Sequence, residues 1–421
     1  MKHKYSKMLL VAIIRWPLNS FADTFGDFVY NNSGTNISIT GYTGTATHVE
    51  IPDTIAMLPV SVISPYAFDN RTNILNLVVP GSIQSIKYEA FSGCSSLTNV
   101  EFQDGVNGLD APAFGGCVSI RSITLPASAD NATHFAFSGC ANLTNYSISP
   151  NNPSHSSMDG VWFSKDNKVL IGYPQGISGR YQVPDGVTQI GNGAFGRCGL
   201  LDGVSLPGSI TDIQPNAFIH SGIFGLTIPD SVEAIGSRTF YGCSRLERIV
   251  FLGNEPPEPP EAQWMFYNTQ VNVIYYRAGT AWSSTYANIP TMRCTATTPD
   301  PIAHSLIQSD FPSVTTDEEY EQAANADQDS DGVPSWEEYV AGTSPTNTAE
   351  YLSVAEIEPS GVIAWLSVTS RFYSVYQNSS LNSSWSEEKP YRIRGDGLLQ
   401  SYTNNLSGGL GFNRIGVELY R

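Results

Sequence analysis

Apolar residues recur in a fixed pattern along most of the first three hundred positions, and the segment from Ile86 to Phe102 shows it best. Its residues follow the order Ile-x3-Ala-Phe-x2-Cys-x2-Leu-x2-Val-x-Phe. Apart from one interval of 58, the central phenylalanine returns every 22 or 23 residues, at Phe68, Phe91, Phe114, Phe137, Phe195, Phe218 and Phe240. This period predicts a solenoid, interrupted by one insertion, in which each repeat buries its apolar face against its neighbours.

The second half of each repeat alternates apolar and polar residues, which predicts one short strand per repeat. Stacked repeats would align these strands in a parallel sheet, with a proline after most of them. The residues expected to face the core are Val100, Phe102, Ile123, Leu125, Val204, Leu206, Leu226, Ile228, Ile249 and Phe251. Those expected to face solvent are Asn99, Glu101, Ser122, Thr124, Asn145, Ser147, Ser205, Thr227 and Arg248.

The Ala-Phe-x2-Cys-x2-Leu signature with its 23-residue period resembles the BspA-type leucine-rich repeat over roughly residues 24–292. The chain departs from the signature at Thr239, which replaces the alanine, and at residues 69–71 and 219–221, which lack the cysteine. The resemblance implies a β-dominated leucine-rich-repeat solenoid. Proteins of this family are mostly secreted or surface-exposed, and the characterised ones act as adhesins or ligand-binding surfaces, so the resemblance also implies an interaction protein.

The amino end combines a basic start (residues 1–7), a short apolar run (residues 8–14) and a small-x-small motif at Ser20 to Ala22. This arrangement is typical of a secretory signal peptide, which we place at residues 1–22. The alternative is a buried helix. The apolar run is far shorter than the ~20 residues that span a bilayer, and no other stretch reaches that length, so no transmembrane segment is expected.

The solenoid is expected to fill residues 23–294, with short capping strands in residues 24–60. Within the insertion, two apolar runs flank Asp166 and Asn167, which predicts a β-hairpin that projects from the solenoid. Its aromatic residues could anchor a partner or pack back against the side of the solenoid: Trp162, Phe163 and Tyr173.

Residues 252–296 are expected to cap the other end, with a strand at 271–276 and a short helix after Trp282. Residues 295–316 are rich in Thr, Pro and Ser and lack apolar periodicity, so they are interpreted as a linker. Residues 351–421 alternate apolar and polar residues in short runs, which predicts a small antiparallel β-domain without an assignable ligand.

The sharpest chemical motif lies in an acidic segment, residues 317–350, which matches the calcium-loop pattern D-x-[DN]-x-[DN]-G-x5-E. Ca²⁺ prefers six to eight oxygen ligands, and alternate residues of a tight loop supply them. The expected ligands are the carboxylates of Asp327, Asp329 and Asp331, the Val333 carbonyl, a Ser335 oxygen or bridging water, and a bidentate Glu338. The alternative is a solvated acidic loop, but four close carboxylates favour a cation.

Pro334 departs from a paired EF-hand, and the single loop resembles those of dockerin-like and thrombospondin type 3-like modules. A short helix is expected at residues 336–340, directly after the loop. A dockerin has two such loops, so a cohesin-type partner is not expected.

The formal net charge of −17 argues against nucleic acid, whose binding needs a basic face. Five of the six cysteines occupy one repeat position, which indicates free, buried thiols rather than disulfides, although adjacent coils bring some of them close together. The cysteines are Cys94, Cys117, Cys140, Cys198, Cys243 and Cys294. No catalytic motif surrounds any of the six histidines, so no catalytic residue and no enzyme activity are expected.

These features together predict a secreted or cell-surface, non-catalytic protein with a structural Ca²⁺ site. It would act as a monomer in adhesion or ligand binding, and its partner would be an extracellular protein or glycan. The alternative is an accessory module of an extracellular hydrolase system that attaches through the calcium-binding C-terminal part.

Overall fold

The computed structural model describes residues 23–277, 280–294 and 317–326, and the backbone of six strands between residues 354 and 419. Parallel strands from successive repeats stack into a solenoid, which confirms the fold predicted from the repeat period. The calcium loop, the signal peptide and the 295–316 linker lie outside the described residues.

The entry to the solenoid is antiparallel and then becomes parallel. Strands β1, β2 and β3 pair antiparallel, and β3 then pairs in parallel with β6, so the entry strands close the open end of the first repeat. The strands of this part are β1 (Asp23–Phe25), β2 (Phe28–Asn32), β3 (Ile37–Tyr42), β4 (His48–Glu50), β5 (Thr54–Ile55) and β6 (Leu58–Ile63).

Each repeat of the first array contributes two parallel strands rather than the single strand predicted. The longer strand matches the prediction. The shorter strand contains the residue five positions before the phenylalanine, and its two residues are enough to continue a parallel ladder. The longer strands are β7 (Asn76–Val79), β9 (Asn99–Phe102), β11 (Ser122–Leu125) and β13 (Asn145–Ile148). The shorter ones are β8 (Ser85–Ile86), β10 (Gly108–Leu109) and β12 (Asn131–Ala132), and a 3₁₀ turn follows at His134–Phe137.

A stack of aromatic rings runs through the core at the period of the repeat, which confirms the phenylalanine register. The rings of Phe68 and Phe91 lie 4.7 Å apart, and those of Phe91 and Phe114 lie 4.9 Å apart at only 5° between planes. Each ring is almost fully buried. The stack begins one coil earlier than the signature indicated, with a tyrosine in place of the phenylalanine, because Tyr42 of β3 stacks on Phe68 at 5.2 Å.

The repeat cysteines are free and buried, as predicted. Four of the thiols donate to the carbonyl of the phenylalanine one coil before them, as Cys94 does to Phe68 and Cys117 to Phe91, both at 3.2 Å. Burial raises the pKa of Cys140 to about 12, so its thiol stays protonated at neutral pH. Cysteine suits the position because it is small and apolar and still satisfies a carbonyl.

The position two residues after the phenylalanine has a left-handed backbone, which explains the glycine before most cysteines. Gly93, Gly116 and Gly242 have φ angles of 67°, 71° and 73° there. Asn70 and His220 hold the same conformation at 55° and 54° in the two repeats that lack the cysteine.

The insertion forms the predicted hairpin, but the expectation that it projects from the solenoid is wrong. β14 (His155–Met158), β15 (Val161–Ser164) and β16 (Val169–Gly172) pair antiparallel, and β16 then pairs in parallel with β18 (Gln189–Ile190) of the next repeat. Trp162, Phe163 and Tyr173 are therefore buried, at 0%, 0% and 4% exposure, as the alternative of packing back on the solenoid required. Removing three large aromatic side chains from water lowers the free energy of the folded chain, so the packed position is favoured over a projecting one.

Two contiguous cores meet at the insertion. Trp162 belongs to the first core, which runs back to Tyr30, whereas its neighbour Phe163 belongs to the second, which extends to Ile274 and beyond. Tyr173 takes the place of the phenylalanine in the first coil of the second core. Its ring lies 5.3 Å from that of Phe195, and its carbonyl accepts from the Cys198 thiol at 3.6 Å.

The second array repeats the same construction. Its remaining strands are β17 (Gly179–Gln182), β19 (Leu201–Ser205), β20 (Asp212–Ile213), β21 (Gly225–Ile228), β22 (Ala234–Ile235), β23 (Arg248–Phe251), β24 (Ile274–Arg277), β25 (Thr285–Tyr286) and β26 (Ile289–Cys294). A 3₁₀ turn lies at Ala262–Trp264. One further coil follows Phe240, because Phe266 stacks on it at 5.4 Å and 9°.

The exit cap contains the predicted strand as β24, but the helix predicted after Trp282 is wrong. The chain instead forms β25 and β26, and β26 pairs in parallel with β24. The indole of Trp282 stacks on Tyr276 at 5.5 Å and donates to the Gly253 carbonyl at 3.0 Å. Trp282 thus covers the end of the core. The extended chain that follows it adds a further strand to the sheet, which a helix could not do.

The described residues of the C-terminal quarter form one helix and two antiparallel sheets. Helix α1 (Asp317–Asn325), nine residues long, was not predicted and is far too short to cross a membrane. The strands are β27 (Val354–Ile357), β28 (Val362–Leu366), β29 (Arg371–Asn378), β30 (Arg392–Arg394), β31 (Leu399–Thr403) and β32 (Phe412–Leu419). They pair antiparallel in two groups of three, as expected for the predicted β-domain.

Candidate functional site

The predicted calcium ligands cannot be placed, because residues 327–338 lie outside the described residues. Only the helix that leads into them is described, and α1 ends at Asn325, two positions before Asp327. Among the described residues, no group of three or more His, Cys, Asp or Glu side chains is arranged to hold a metal ion. The calcium assignment therefore stays a prediction.

The outer face of the longer strands in the first array presents small polar residues, as expected. Several of them bond to the neighbouring coil instead of pointing freely into solvent. Thr98 Oγ1 donates to the Leu75 carbonyl at 3.0 Å, and Asn145 Nδ2 donates to Ser122 Oγ at 2.9 Å. These bonds on the outer face strengthen the stack of coils.

The same face in the second array is different. Arg180 and Arg248 occupy one outward row of the sheet, with Gly203 and Gly225 between them in register. The Arg245 guanidinium lies 3.6 Å from the centre of the Phe224 ring. We call this surface, formed by the outward residues of β17, β19, β21 and β23 with Phe224 and Arg245, the arginine face.

A column of aromatic side chains runs along the turns that carry the core phenylalanines. We call it the aromatic column and define it by His220, Tyr241, Trp264 and Tyr267. The rings of Tyr241 and Tyr267 stack at 5.1 Å, while His220 meets Tyr241 edge-on at 5.6 Å and Trp264 meets Tyr267 edge-on at 5.4 Å. Tyr267 is 51% exposed and Trp264 is 37% exposed.

The repeat holds the aromatic column in place. Tyr241 and Tyr267 directly follow the buried Phe240 and Phe266, so the core fixes the start of each exposed side chain. The Gly242 amide donates to the Tyr267 carbonyl at 2.8 Å, which ties the two turns together. The sequence contains a signal for this column, the paired aromatics Phe-Tyr at 240–241 and 266–267, but these pairs lie in the turns and outside the strands predicted to be exposed.

A small cavity lies where the two cores meet. Its volume is about 50 Å³, and its lining includes His134, Phe135, Tyr146, Tyr173 and Arg197. Organic ligands commonly need clefts of ~300–1,000 Å³, so this cavity suits a few water molecules. It does not resemble a substrate pocket.

His134 is the unusual residue of this cavity. Its Nε2 atom is buried and makes no hydrogen bond of good geometry among the described residues, but the Gly193 backbone interacts with the ring and part of the side chain reaches the surface. Burial lowers the pKa of His134 to about 4, so the ring is neutral at physiological pH. Gly172 and Gly193 leave room for the rings of His134 and Phe135, because a Cβ atom at either position would lie within 2.7 Å of them.

Comparisons with known proteins agree with the repeat. The model of the family described as "BspA type Leucine rich repeat region" matches six copies over residues 61–170 and 179–286. No curated protein matches the chain.

Several solved structures are similar in fold. A leucine-rich repeat protein from Eubacterium ventriosum is 14% identical, with a TM-score of 0.47 over 65% of this chain and 84% of that one. The pneumococcal vaccine antigen PcpA is 17% identical, with a TM-score of 0.42 over 65% and 93%. A leucine rich cell surface protein from Faecalibacterium prausnitzii is 19% identical, with a TM-score of 0.35 over 66% and 95%.

Proposed function

Because the chain belongs to the BspA-type leucine-rich repeat family, we propose that it is a secreted or cell-surface interaction protein without catalytic activity. The family is generally non-enzymatic and its repeats serve adhesion or ligand binding. The observation that carries the proposal is the aromatic column, which places Tyr241, Trp264 and Tyr267 in a row on a rigid support.

The aromatic column has the composition of a binding hot spot. Tyr and Trp dominate the binding energy of protein interfaces, where they bury large areas at a small cost in side-chain entropy. Neighbouring rings already restrain Tyr241 and Tyr267, so little further freedom is lost on binding.

The geometry favours a protein ligand over a glycan. The Tyr241 and Tyr267 rings stack at an angle of 20°, which covers one face of each ring and leaves ring edges and hydroxyl groups among the surfaces open to a partner. Sugars bind aromatic residues chiefly through the ring face, whereas protein interfaces use the edges and hydroxyls of tyrosine as well. An extracellular protein is therefore the ligand class that we propose.

The chain offers a matched control for a binding test. Tyr66 and Tyr88 form another exposed pair in the first array, with rings 5.8 Å apart and exposures of 53% and 45%. We would measure binding of residues 23–421 to an array of purified extracellular-matrix proteins and to a glycan array. Replacing Tyr241 and Tyr267 together by Ser should abolish protein binding, while replacing Tyr66 and Tyr88 by Ser should preserve it. Equal binding by both double variants, or binding to glycans alone, would overturn the assignment.

We further propose that the loop after α1 binds one Ca²⁺ ion through Asp327, Asp329, Asp331, the Val333 carbonyl, Ser335 and Glu338. The alternation of acidic residues around Gly332 supports this proposal. In calorimetric titration, Asp329→Ala should lose tight Ca²⁺ binding, and Asp317→Ala, at the start of α1, should keep it. Unchanged affinity of the Asp329 variant would refute the ligand set.

The role of Ca²⁺ in ligand binding separates the leading proposal from the attachment alternative. If the aromatic column binds the partner, chelation and Asp329→Ala should leave partner binding unchanged. Binding that requires both Ca²⁺ and Asp329 would move the function to the C-terminal part. Export is tested separately, by fractionating cells that express the full chain and determining the mature N-terminus, which should begin after residue 22.

A further inference from the structure

Two apolar residues on the arginine face are buried although they do not belong to either core. Phe224 and Val250 are each 1% exposed, yet neither lies in the clusters that fill the solenoid. Val250 alternates with the inward-facing Ile249 and Phe251 on β23, so its side chain points outwards. Both residues are therefore covered from outside the solenoid.

The register of backbone hydrogen bonds shows how unusual Phe224 is. Its amide donates to the Asp202 carbonyl, and its carbonyl accepts from the Glu247 amide, at 3.0 and 2.9 Å. In the first array, the Thr98 and Thr144 amides make the same bonds to the coil before them. Those two threonines are exposed, and Leu75 in that row is 41% exposed. A phenylalanine at an outward position needs an apolar cover that the threonines do not need.

The glycines beside Phe224 are covered as well. Gly203 and Gly225 occupy the outward row between Arg180 and Arg248, and both are buried despite having no side chain. Two adjacent glycines let another segment approach the sheet backbone closely. This row thus forms a shallow channel with an arginine on either side.

Helix α1 has the complementary face. Tyr320, Ala323 and Ala324 are buried at 8%, 6% and 0% exposure, whereas Glu319, Gln322 and Asn325 are exposed. The spacing of three and four residues places the buried side chains on one stripe of the helix. Like Phe224 and Val250, they belong to neither core, so α1 also packs against a partner outside the two cores.

The two surfaces also match in charge. Helix α1 carries Asp317, Glu318, Glu319 and Glu321 and contains no Lys or Arg. The arginine face contributes Arg180, Arg245 and Arg248. Asp202, 3.4 Å from the Arg245 guanidinium, and Glu247 in the row of Phe224 offset part of this charge and leave the face net positive, in a protein with a net charge of −17. Opposite charges around an apolar centre favour one orientation of docking.

The chain can make this connection without strain. Strand β26 ends at Cys294 in the same sheet, two strands beyond β23 in the order β23-β24-β26. Neighbouring strands are ~4.8 Å apart, and the linker of residues 295–316 can span ~70 Å when extended, so α1 can reach the face.

We infer that helix α1 docks on the arginine face, with its Ala323 and Ala324 side over Gly203 and Gly225 and with Phe224 and Val250 covered by the helix. The calcium loop begins two residues after α1, so docking fixes this loop to the side of the second array. The arginine face is then an internal joint of the chain, which leaves the turns that carry the aromatic column for external ligands.

Hydroxyl-radical footprinting of residues 23–421 tests this inference, because it reports the exposure of single side chains. Phe224 should be protected in the unmodified chain and should oxidise much more slowly than the exposed Leu75. Ala324→Asp places a charge in the proposed contact and should raise the oxidation of Phe224 severalfold. Gln322→Asp adds the same charge on the exposed side of α1 and should leave Phe224 protected.

Ala324→Asp could expose Phe224 simply by unfolding α1, so a second variant changes the arginine face and leaves the helix sequence intact. Phe224→Thr installs the residue that the same row carries elsewhere, and it should speed cleavage of α1 by a protease specific for glutamate. Leu75→Thr, in the same row of the first array, should not change that cleavage. The inference would be overturned if Phe224 stayed protected in the Ala324→Asp chain. It would also be overturned if Phe224→Thr left the rate of α1 cleavage unchanged.

Discussion

The two arrays of repeats have nearly identical interiors and different exteriors. In both, stacked aromatic rings and thiol-to-carbonyl bonds recur from coil to coil, for example between Cys117 and Phe91 and between Cys243 and Phe218. Outside, the first array carries small polar residues that bond to the next coil, while the second carries the arginine face and the aromatic column. The packing requirement of the core therefore sets the repeat, and the outward positions remain available for specialisation.

The insertion is the point at which the two arrays could become independent. Phe137 is not followed by a stacked ring in the next coil, and Tyr146 and Trp162 fill the space at 5.3 Å from each other. In repeat proteins, stability is the sum of the units and the interfaces between neighbours. A weak interface at the insertion would let one array unfold while the other remains folded.

The largest expected effect comes from removing a ring within either stack. Phe114→Ala and Phe218→Ala should each lower the free energy of unfolding by ~3–5 kcal/mol, because each empties a fully buried aromatic site between two stacked neighbours. Hydrogen exchange should show lost protection mainly in residues 61–148 for the first variant and in residues 179–286 for the second. Equal loss in both arrays would mean that the two cores unfold as one unit.

Trp162→Ala tests the interface itself and should have a smaller effect, about 2–3 kcal/mol. The cavity left by the indole destabilises the chain, but the substitution also removes a buried Nε1–H that has no hydrogen-bond partner among the described residues. Protection should fall at the insertion and in the first array. A loss as large as that of Phe114→Ala in denaturant titration would show that the indole nitrogen is satisfied in solution.

The sequence revealed the interior far better than the exterior. The phenylalanine register, the longer strands and the free cysteines followed from the repeat, because one apolar position serves the same purpose in every coil. The pattern does not predict Tyr173 and Phe266, since their coils lack the Ala-Phe and cysteine signature, although both rings continue the stack. It does not predict Phe224 because the shortened repeat shifts it onto an outward row, which only the hydrogen-bond register reveals.

Acid should weaken the interface between the arrays more than the arrays themselves. The folded-state pKa of His134, about 4, lies below the ~6.5 of an unfolded histidine. The neutral ring therefore contributes stability above pH 6.5, and this contribution is lost as the pH falls from 6.5 towards 4. The other polar groups of the cavity include Arg197 and the neutral Tyr146 and Tyr173, and the Gly193 backbone offsets part of the lowering of the His134 pKa.

The measurement is the free energy of unfolding of the wild type and His134→Leu at pH 7.5, 5.5 and 4.5. Carboxylates elsewhere titrate alike in both chains, so the difference isolates the histidine. The wild type should lose more of its free energy of unfolding than the variant between pH 7.5 and pH 5.5. Parallel curves would place the His134 ring in contact with solvent in the native state.

The smallest expected effect compares the thiol ladders of the two arrays. Cys117→Ala and Cys243→Ala each remove a donor to a buried carbonyl and should cost about 1–2 kcal/mol. Cys243 should be the more costly, because its sulfur lies 2.9 Å from the Phe218 carbonyl and also contacts Ser221 Oγ at 3.4 Å, whereas Cys117 has its carbonyl at 3.2 Å. Chemical denaturation of both variants against wild type measures the difference. If Cys117→Ala proved the more costly, thiol packing along the stack of Cys94, Cys117 and Cys140 would outweigh the hydrogen bond, and the interiors of the two arrays would differ after all.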